Sequence, residues 1–280
     1  MSKTLFVGKN GPVTSASLLD NLREVSSDDC DLLYVHSALS FGKVELTMKR
    51  SEVLEEIYGT LLSLDVPTLC FPTYTFSFCN GENYNVDSSK SQMGALNEYV
   101  RVENNSTRSL DPLMSVAVSG KNSELVANVS KSSIGTDSTF DRIRKLPNVK
   151  FLFLGVDLGA CFTYMHYLEW EAKVPYRYER TFSGDVVVGD KAYSIDQDLF
   201  VRYNNIKPNL ASYDYQKMLA ASKILKTVNV GDSAISCVDE ESAREVYLGL
   251  LEKDPNFFIE GKFDAGNLDS NFEAKNMIAL

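Results

Sequence analysis

The sequence has few histidines, no paired cysteines and no cluster of positive charge, and each shortage excludes a class of function. Two of the 280 residues are histidine, and the five cysteines are widely spaced without a C-x-x-C pair. This pattern predicts reduced thiols rather than a disulfide framework or a zinc site. With 28 Lys and Arg against 38 Asp and Glu, the net charge is -10, which would repel a phosphate backbone. Nucleic acid is therefore not an expected partner.

Long apolar runs are also missing. The first ten residues, MSKTLFVGKN, contain no apolar signal-peptide core, and no later run approaches the ~18 apolar residues of a membrane span. The 44% apolar and 24% charged fractions are ordinary for a globular protein. We therefore expect an ordered cytoplasmic protein that does not contact a membrane.

Short apolar runs alternate with amphipathic helical patterns in the first two thirds of the chain. Buried strands are predicted at 32–37, from 66, at 114–120 and at 149–156, and helices at 14–25, 50–64, 122–129 and 163–172. This alternation is typical of an α/β unit with parallel strands. We expect one elaborated domain, 1–280, with a central mixed, largely parallel sheet flanked by helices. A smaller subdomain around 175–215 remains an alternative.

The rest of the chain gives weaker signals. Residues 77–108 lose periodicity and predict a long irregular excursion, and excursions of this kind are often functional. A hairpin is predicted from 181–188 and 191–195 across V-G-D, with helices at 213–225 and 240–253.

The stretch FTYMHYLEWE (162–171) holds one of the two histidines. On a helix, Thr163, His166 and Glu169 would occupy positions i, i+3 and i+6, so that neighbouring pairs share a face. Glu169 could then orient the imidazole as a general base, and Thr163 could donate to an oxyanion. A surface ion pair explains the same spacing and is the more common case, so spacing alone does not establish catalysis.

The other histidine, His36, ends a predicted buried strand and precedes the loop SALSFG. In α/β folds ligands bind at this end of strands, although a structural histidine fits the position equally well. Together with His166 and Glu169 it could complete a metal site, but no H-x-x-x-H or cysteine pair supports that interpretation, and no metal is expected. Arg108, in RSLDP (108–112), could bind an anion or form a structural ion pair.

Five separated stretches, taken in order, carry a more specific signal. LLYVHSALSFG resembles a strand ending in V-H-S-S-L, LCFPTYTF resembles M-P-T-F-T, and SQMGALNEYVR resembles P-S-x-M-G-x-L-x-E-x-F-R. RSLDPLMSVAVSG resembles R-S-x-H-P-x-x-S-x-x-A-x-G, and FLFLGVDLGACFTYMHYLE resembles L-L-L-G-V followed by N-T-x-x-H-x-x-E. These are motifs of the antibiotic N-acetyltransferase family, which includes the aminoglycoside 3-N-acetyltransferases. The resemblance runs from about Asp31 to Gly184 and continues weakly to about Ile259.

The resemblance implies direct acyl transfer from acetyl-CoA, as co-substrate, to an amine. It implies that His166 is the base, Glu169 its orienting partner and Thr163 the hydroxyl near the tetrahedral intermediate. It also implies a coenzyme A site shaped by two groups of residues, His36, Ser37, Ala38, Leu39 and Ser40, and Arg108, Ser109 and Ser115. The expected acceptor is an amino sugar, either an aminoglycoside or a sugar of surface-polysaccharide assembly.

Two positions depart from the family pattern. Asp111 replaces the histidine of R-S-x-H-P, and Phe162 replaces the asparagine before the threonine. Asp111 leaves open a coenzyme A-binding protein without transferase activity, and a further alternative is a thioester hydrolase in which His166 activates water. The acidic residues that could hold a polycationic acceptor (Asp87, Glu98, Asp157 and Glu171) are not placed by sequence. A homodimer is likewise left open.

Overall fold

A computed structural model describes residues 2–26, 29–103, 105–128 and 130–272. The helices are α1 (Ser15–Ser26), α2 (Arg50–Leu62), α3 (Ala95–Val102), α4 (Ser123–Ala127), α5 (Thr139–Ile143), α6 (Tyr164–Glu171), α7 (Tyr215–Ala221) and α8 (Glu240–Lys253). The strands are β1 (Thr4–Gly8), β2 (Gly11–Thr14), β3 (Leu32–Ser37), β4 (Lys43–Val44), β5 (Thr68–Pro72), β6 (Tyr84–Asn85), β7 (Thr107–Arg108), β8 (Val116–Gly120), β9 (Val149–Leu154), β10 (Arg177–Val188), β11 (Lys191–Arg202), β12 (Lys226–Val230) and β13 (Ser233–Asp239).

The central sheet has seven strands in the order β12-β13-β9-β3-β5-β8-β7. It confirms the predicted mixed α/β class, but the parallel part is smaller than expected. Within this sheet, β3 pairs in parallel with β5 on one side and with β9 on the other. The remaining strand pairs of the sheet are antiparallel. The excursion after β5 returns to the same end of the sheet, where Pro72 pairs with Val116, so β8 must run in the opposite direction.

The central sheet is buried on both faces. Successive side chains of a strand point to opposite sides, and along β3 Leu32 and Tyr34 join one apolar cluster whereas Leu33 and Val35 join the other. The first cluster includes α6 and α8, and the second includes α1 and α2. His36 continues the alternation of Tyr34 and therefore lies on the α6 side of the sheet.

Two smaller sheets flank the central one, in the orders β2-β1-β4 and β11-β10-β6. The predicted hairpin is confirmed, with Val188 paired to Lys191 across a two-residue turn. Its strands are longer than predicted, because their pairing continues from the turn to Arg177 and Arg202. In the part of the chain that the structure describes, no helix combines the length and apolar character needed to cross a membrane.

Candidate active site

A cavity of about 490 Å³ opens at the carboxyl ends of the three parallel strands, where α/β folds bind ligands. The end of β3, the segment after β5, the excursion and the segment before α6 all contribute to its wall. The lining residues are His36, Ser37, Ala38, Pro72, Tyr74, Phe76, Gln92, Met93, Gly94, Asn97, Met114, Ala160, Cys161, Thr163 and His166. None of these side chains is an acid, a lysine or an arginine.

The start of α6 is fixed by packing rather than by a side-chain cap. Phe162 is buried, with its ring 5.1 Å from Phe151 and 5.2 Å from Phe153, both on β9. This anchor sets Thr163 at the N-cap position, where its hydroxyl makes no capping bond. The departure of Phe162 from the family pattern therefore has a structural role, because it holds the first turn of the helix against the sheet.

His166 and Glu169 form the contact that their spacing predicted. Nδ1 of His166 lies 2.8 Å from Oε2 of Glu169, and Glu169 is almost fully buried. Tyr176 donates to the other oxygen, Oε1, at 2.9 Å. The Arg177 guanidinium also reaches both partners, with Nε 2.8 Å from Glu169 Oε2 and Nη2 3.0 Å from His166 Nδ1. The pair is thus a buried cluster rather than a surface ion pair.

The cluster shifts the ionisation of both residues. Burial would raise the pKa of Glu169, but the charge of Arg177 and the hydrogen bond with His166 outweigh it and lower the pKa to about 2. The pKa of His166 is lowered, first by burial and then by Arg177, while Glu169 acts in the opposite direction. At neutral pH His166 is therefore uncharged, which is the state that a general base requires.

A row of hydroxyls supports Thr163 from inside the fold. The hydroxyl of Tyr74 lies 3.0 Å from Thr163 Oγ1, and the hydroxyl of Tyr34 lies 2.8 Å from that of Tyr74. Tyr34 and Tyr74 are 0% and 1% exposed, whereas Thr163 is partly exposed to the cavity. Tyr74 and Thr163 both line the cavity, and Thr163 is the more exposed of the two.

His36 lines the cavity as a buried, neutral imidazole. Its ring stacks on Phe153 with centroids 5.2 Å apart, and burial lowers its pKa to about 3. Its Nε2 has no hydrogen-bond partner among the described residues. A buried polar atom of this kind in a cavity wall is suited to hydrogen-bonding a ligand.

The loop after β3 divides into residues that line the cavity and residues that do not. Ser37 and Ala38 line it, and the Ser37 hydroxyl donates to Asn97 Oδ1 at 2.7 Å. Leu39 and Ser40 are not among the lining residues. The backbone N–H groups of Ala38 and Leu39 donate to the carbonyl of Leu154 and that of Ser40 to the carbonyl of Gly155, so these three groups are occupied within the fold.

Arg108 is a support of the cavity rather than part of its wall. Its Nη1 donates to the carbonyls of Val86 at 3.0 Å and Ser89 at 2.6 Å, and its Nη2 donates to the carbonyl of Thr73 at 2.8 Å. The side chain is therefore committed to holding the excursion against the end of β5. Direct contact with coenzyme A remains an untested prediction.

Ser109, Ser115 and Asp111 have similar supporting contacts. Ser109 accepts from the Val116 N–H at 3.0 Å, and Ser115 donates to the Thr73 carbonyl at 2.7 Å. Asp111 accepts from the N–H groups of Leu113 and Met114, each at 2.9 Å, and burial raises its pKa. The residue that replaces the family histidine thus shapes the turn into β8.

The four acids considered for a polycationic acceptor are not in this wall. Glu98 pairs with Arg101, and Glu171 pairs with Arg144 and Arg244. Asp157 caps the turn before α6 by accepting from the Gly159 N–H at 2.8 Å, and Asp87 is exposed. No group of three or more His, Cys, Asp or Glu side chains in the described residues is arranged to hold a metal ion.

Sequence reasoning missed several residues of the site, including Arg177, Tyr176 and Asn97. The first two follow Pro175, beyond the end of the helix that carries the motif. Cys161, another omission, lines the cavity, and its thiol donates to the Asp157 carbonyl at 3.3 Å. Burial, followed by the charge of Asp157, raises the pKa of this thiol.

Comparisons with known structures find the same fold. A mutant of aminoglycoside acetyltransferase AAC(3)-IVa in complex with a gentamicin is 20% identical with a TM-score of 0.71, and the match covers 93% of each chain. AAC-IIIb with CoASH is 17% identical with a TM-score of 0.70, over 89% of this chain and 98% of that one. The YokD protein from Bacillus subtilis is 16% identical with a TM-score of 0.69, over 86% and 93%. No curated protein sequence matches.

The sequence profile of the family described as aminoglycoside 3-N-acetyltransferase matches residues 65–252. This range covers more than half of the chain and contains Thr163, His166 and Glu169, whereas His36 and its loop precede it. The chain therefore belongs to the aminoglycoside 3-N-acetyltransferase family, a family of acyl-CoA-dependent N-acyltransferases.

Proposed function

We propose that this protein transfers the acetyl group of acetyl-CoA to an amino group of an amino sugar, with His166 as the general base. The observation that carries the proposal is the imidazole of His166 at the cavity wall, with Nδ1 2.8 Å from the buried Glu169 Oε2. If Nδ1 carries the proton shared with Glu169, Nε2 is left as the proton acceptor.

The reaction proceeds in two steps. The amine nitrogen attacks the thioester carbonyl and forms the new C–N bond while its proton passes to Nε2 of His166. The tetrahedral intermediate then collapses, the C–S bond breaks, and the coenzyme A thiolate leaves and takes the proton from the imidazolium. Thr163 donates to the oxyanion between these steps.

We assign the coenzyme A arm to the part of the cavity formed by His36, Ser37 and Ala38. The neutral ring of His36 and the apolar wall suit the amide-containing, uncharged portion of that molecule. We also propose that the protein acts in the cytoplasm, where acetyl-CoA is available.

Two acceptor classes fit the proposal. Aminoglycosides are supported by the family and by the solved complex of a structural neighbour with a gentamicin. An amino sugar of surface-polysaccharide assembly is favoured by a different observation, the absence of acidic side chains among the described residues of the cavity wall. A polycation gains nothing from such a wall, whereas a sugar with a single amine needs no carboxylates.

A free-thiol assay with acetyl-CoA tests the proposal against panels of aminoglycosides and nucleotide-linked amino sugars. Amine-dependent thiol release is expected, and His166→Ala should reduce it by about 10²–10⁴-fold, the usual contribution of a general base. Tyr193→Phe, at an exposed position on β11, is the control and should retain full activity.

The assay also separates the alternatives. Thiol release without any amine would indicate a hydrolase, and binding of acetyl-CoA without release would indicate a protein that has lost catalysis. Near-normal turnover by His166→Ala would show that the base is a different residue.

A further inference from the structure

The hydroxyls of Tyr34, Tyr74 and Thr163 form a continuous hydrogen-bonded row from the core to the cavity. The oxygen–oxygen distances are 2.8 Å between the tyrosines and 3.0 Å between Tyr74 and Thr163. Tyr34 lies on β3 and Tyr74 just after β5, so the row crosses two neighbouring parallel strands before it meets the N-cap of α6.

The burial of Tyr34 determines the direction in which the protons point. Among the described residues, Tyr74 is the only hydrogen-bond partner of the Tyr34 hydroxyl. A buried hydroxyl that donated to nothing would lose the full free energy of a hydrogen bond, so Tyr34 donates to Tyr74. Tyr74 then donates to Thr163, which is the only other hydrogen-bond partner of its hydroxyl among the described residues. The Thr163 proton is left to point into the cavity.

The opposite direction leaves a buried donor without an acceptor. If Thr163 donated to Tyr74, one tyrosine proton would have no acceptor in the described part of the chain: that of Tyr34 if Tyr74 donated to it, and that of Tyr74 if Tyr34 donated instead. Burial raises the pKa of both tyrosines, so both keep their protons at neutral pH. The row therefore orients a donor and does not itself transfer a proton.

We propose that Tyr74, supported by Tyr34, is a positioning residue that commits the Thr163 hydroxyl to donate to the oxyanion of the tetrahedral intermediate. The proposal rests on the acyl transfer described above. Each hydroxyl that accepts a hydrogen bond becomes a stronger donor, so the row also strengthens the bond that Thr163 makes. The effect is larger on the charged intermediate than on the neutral thioester, and it therefore acts on kcat.

A double-mutant cycle between Tyr74→Phe and Thr163→Val tests this coupling. Tyr74→Phe should lower kcat about tenfold and change the KM for acetyl-CoA by less than about twofold. In the Thr163→Val background the same substitution should have no further effect, because the hydroxyl that it positions is gone. Multiplicative effects of the two substitutions would overturn the proposal. Tyr34→Phe should have a smaller effect, about two- to threefold, since Tyr74 can still donate.

Tyr84→Phe is the matched control. Tyr84 is also a fully buried tyrosine, but its hydroxyl donates to the Ser109 carbonyl at 2.9 Å, outside this row. Its loss should leave kcat within about twofold of wild type while reducing stability by a similar amount to Tyr74→Phe. An equal loss of kcat in both variants would mean that Tyr74 acts only through stability.

A second measurement does not depend on the acceptor. Trifluoroacetonyl-CoA, whose hydrated ketone imitates the tetrahedral oxyanion, should bind Tyr74→Phe about tenfold more weakly than wild type, with the affinity for coenzyme A unchanged. Equal weakening of both ligands would contradict the proposal. If wild type binds neither ligand, the proposed function fails; if it binds both but Tyr74→Phe has no selective effect, only the positioning role fails.

Discussion

At the scale of single residues, His166 Nδ1 faces two competing partners. Glu169 Oε2 lies at 2.8 Å and can accept a proton, whereas Arg177 Nη2 lies at 3.0 Å and can only donate. The first contact places the proton on Nδ1 and frees Nε2, and the second does the reverse. Glu169 and Arg177 therefore set the tautomer and the pKa of His166 in opposite directions.

Removing Arg177 should shift the acid limb of the activity profile to higher pH. The base must be uncharged, so activity rises as pH increases through the pKa of His166, which the protein holds below its usual 6.5. Arg177→Met removes a positive charge, so the pKa should rise and the limb should move with it. The pH dependence of kcat measures this shift, with Arg180→Met on the same strand as the control. If the acid limb of Arg177→Met lay at the same pH as that of wild type, the limb would report the titration of a group other than His166.

Removing the charge of Glu169 should have the opposite effect on the same limb. Glu169→Gln takes away an interaction that raises the pKa of His166, so the acid limb should move to lower pH. The maximum of kcat should also fall at least about tenfold, because the amide no longer requires the proton on Nδ1. A variant with unchanged kcat would show that Glu169 only stabilises the fold.

At the scale of elements, a helix or strand can be predicted when the pattern of apolar residues within the segment itself indicates it. β3 and α6 were predicted to within one or two residues, because a continuous apolar run and a helical period are properties of the segment itself. β12, of sequence KTVNV, is largely exposed and has no such run, so its pairing with β13 was missed. α3 was not predicted, and its residues were assigned to the irregular excursion, because its apolar face is short.

The supporting role of Arg108 was unpredictable for a related reason. Its partners, the carbonyls of Val86, Ser89 and Thr73, lie 19 to 35 residues away, and carbonyls have no sequence signature. The motif therefore singled out Arg108 but left open whether its side chain binds a ligand or the excursion.

Arg108→Met should weaken the attachment of the excursion to β5. Several buried carbonyls would lose their donor, so the free energy of unfolding should fall by about 2–4 kcal/mol. Urea denaturation measures the loss, and limited proteolysis should show faster cleavage near residues 86–89. Lys90→Met, at an exposed position in the same excursion, is the control and should change the stability little. Full stability with loss of acetyl-CoA binding would instead assign Arg108 to the ligand.

At the scale of the whole molecule, the family motifs located the cavity but did not predict its chemistry. Motif residues from β3, the segment after β5 and α6 meet at one end of the sheet. The uncharged wall and the Arg177 cluster depend on contacts between distant segments, and a single sequence does not encode those contacts visibly. The single-domain organisation over 1–280 stays a prediction.

The buried imidazole of His36 should make the folded protein less stable in mild acid. The pKa of His36 is about 3 in the folded state and about 6.5 when the chain is unfolded, so only the unfolded state takes up its proton between these values. The stability that this group contributes is complete above pH 6.5 and is lost as the pH falls toward 3. The slope of the free energy of unfolding against pH from this group approaches about 1.4 kcal/mol per pH unit.

Replacement of His36 by phenylalanine should flatten this dependence. The substitute keeps the stacking on Phe153 but has no group that titrates, so His36→Phe should lose less stability than wild type between pH 6.5 and 3. Chemical denaturation at a series of pH values measures the difference. Parallel curves for the two proteins would mean that His36 is accessible to protons in the folded state.

The position of Cys161 has a consequence for redox chemistry. A transferase that uses acetyl-CoA releases a free thiol at every turnover, and Cys161 lines the cavity in which we place that product. Disulfide exchange requires a thiolate, and the raised pKa of Cys161 keeps its sulfur protonated at neutral pH. A mixed disulfide would form from oxidised coenzyme A, the disulfide of that product, if a Cys161 thiolate broke its S–S bond and released coenzyme A thiolate. The environment that buries this cysteine thus protects the enzyme from exchange with the oxidised form of its own product.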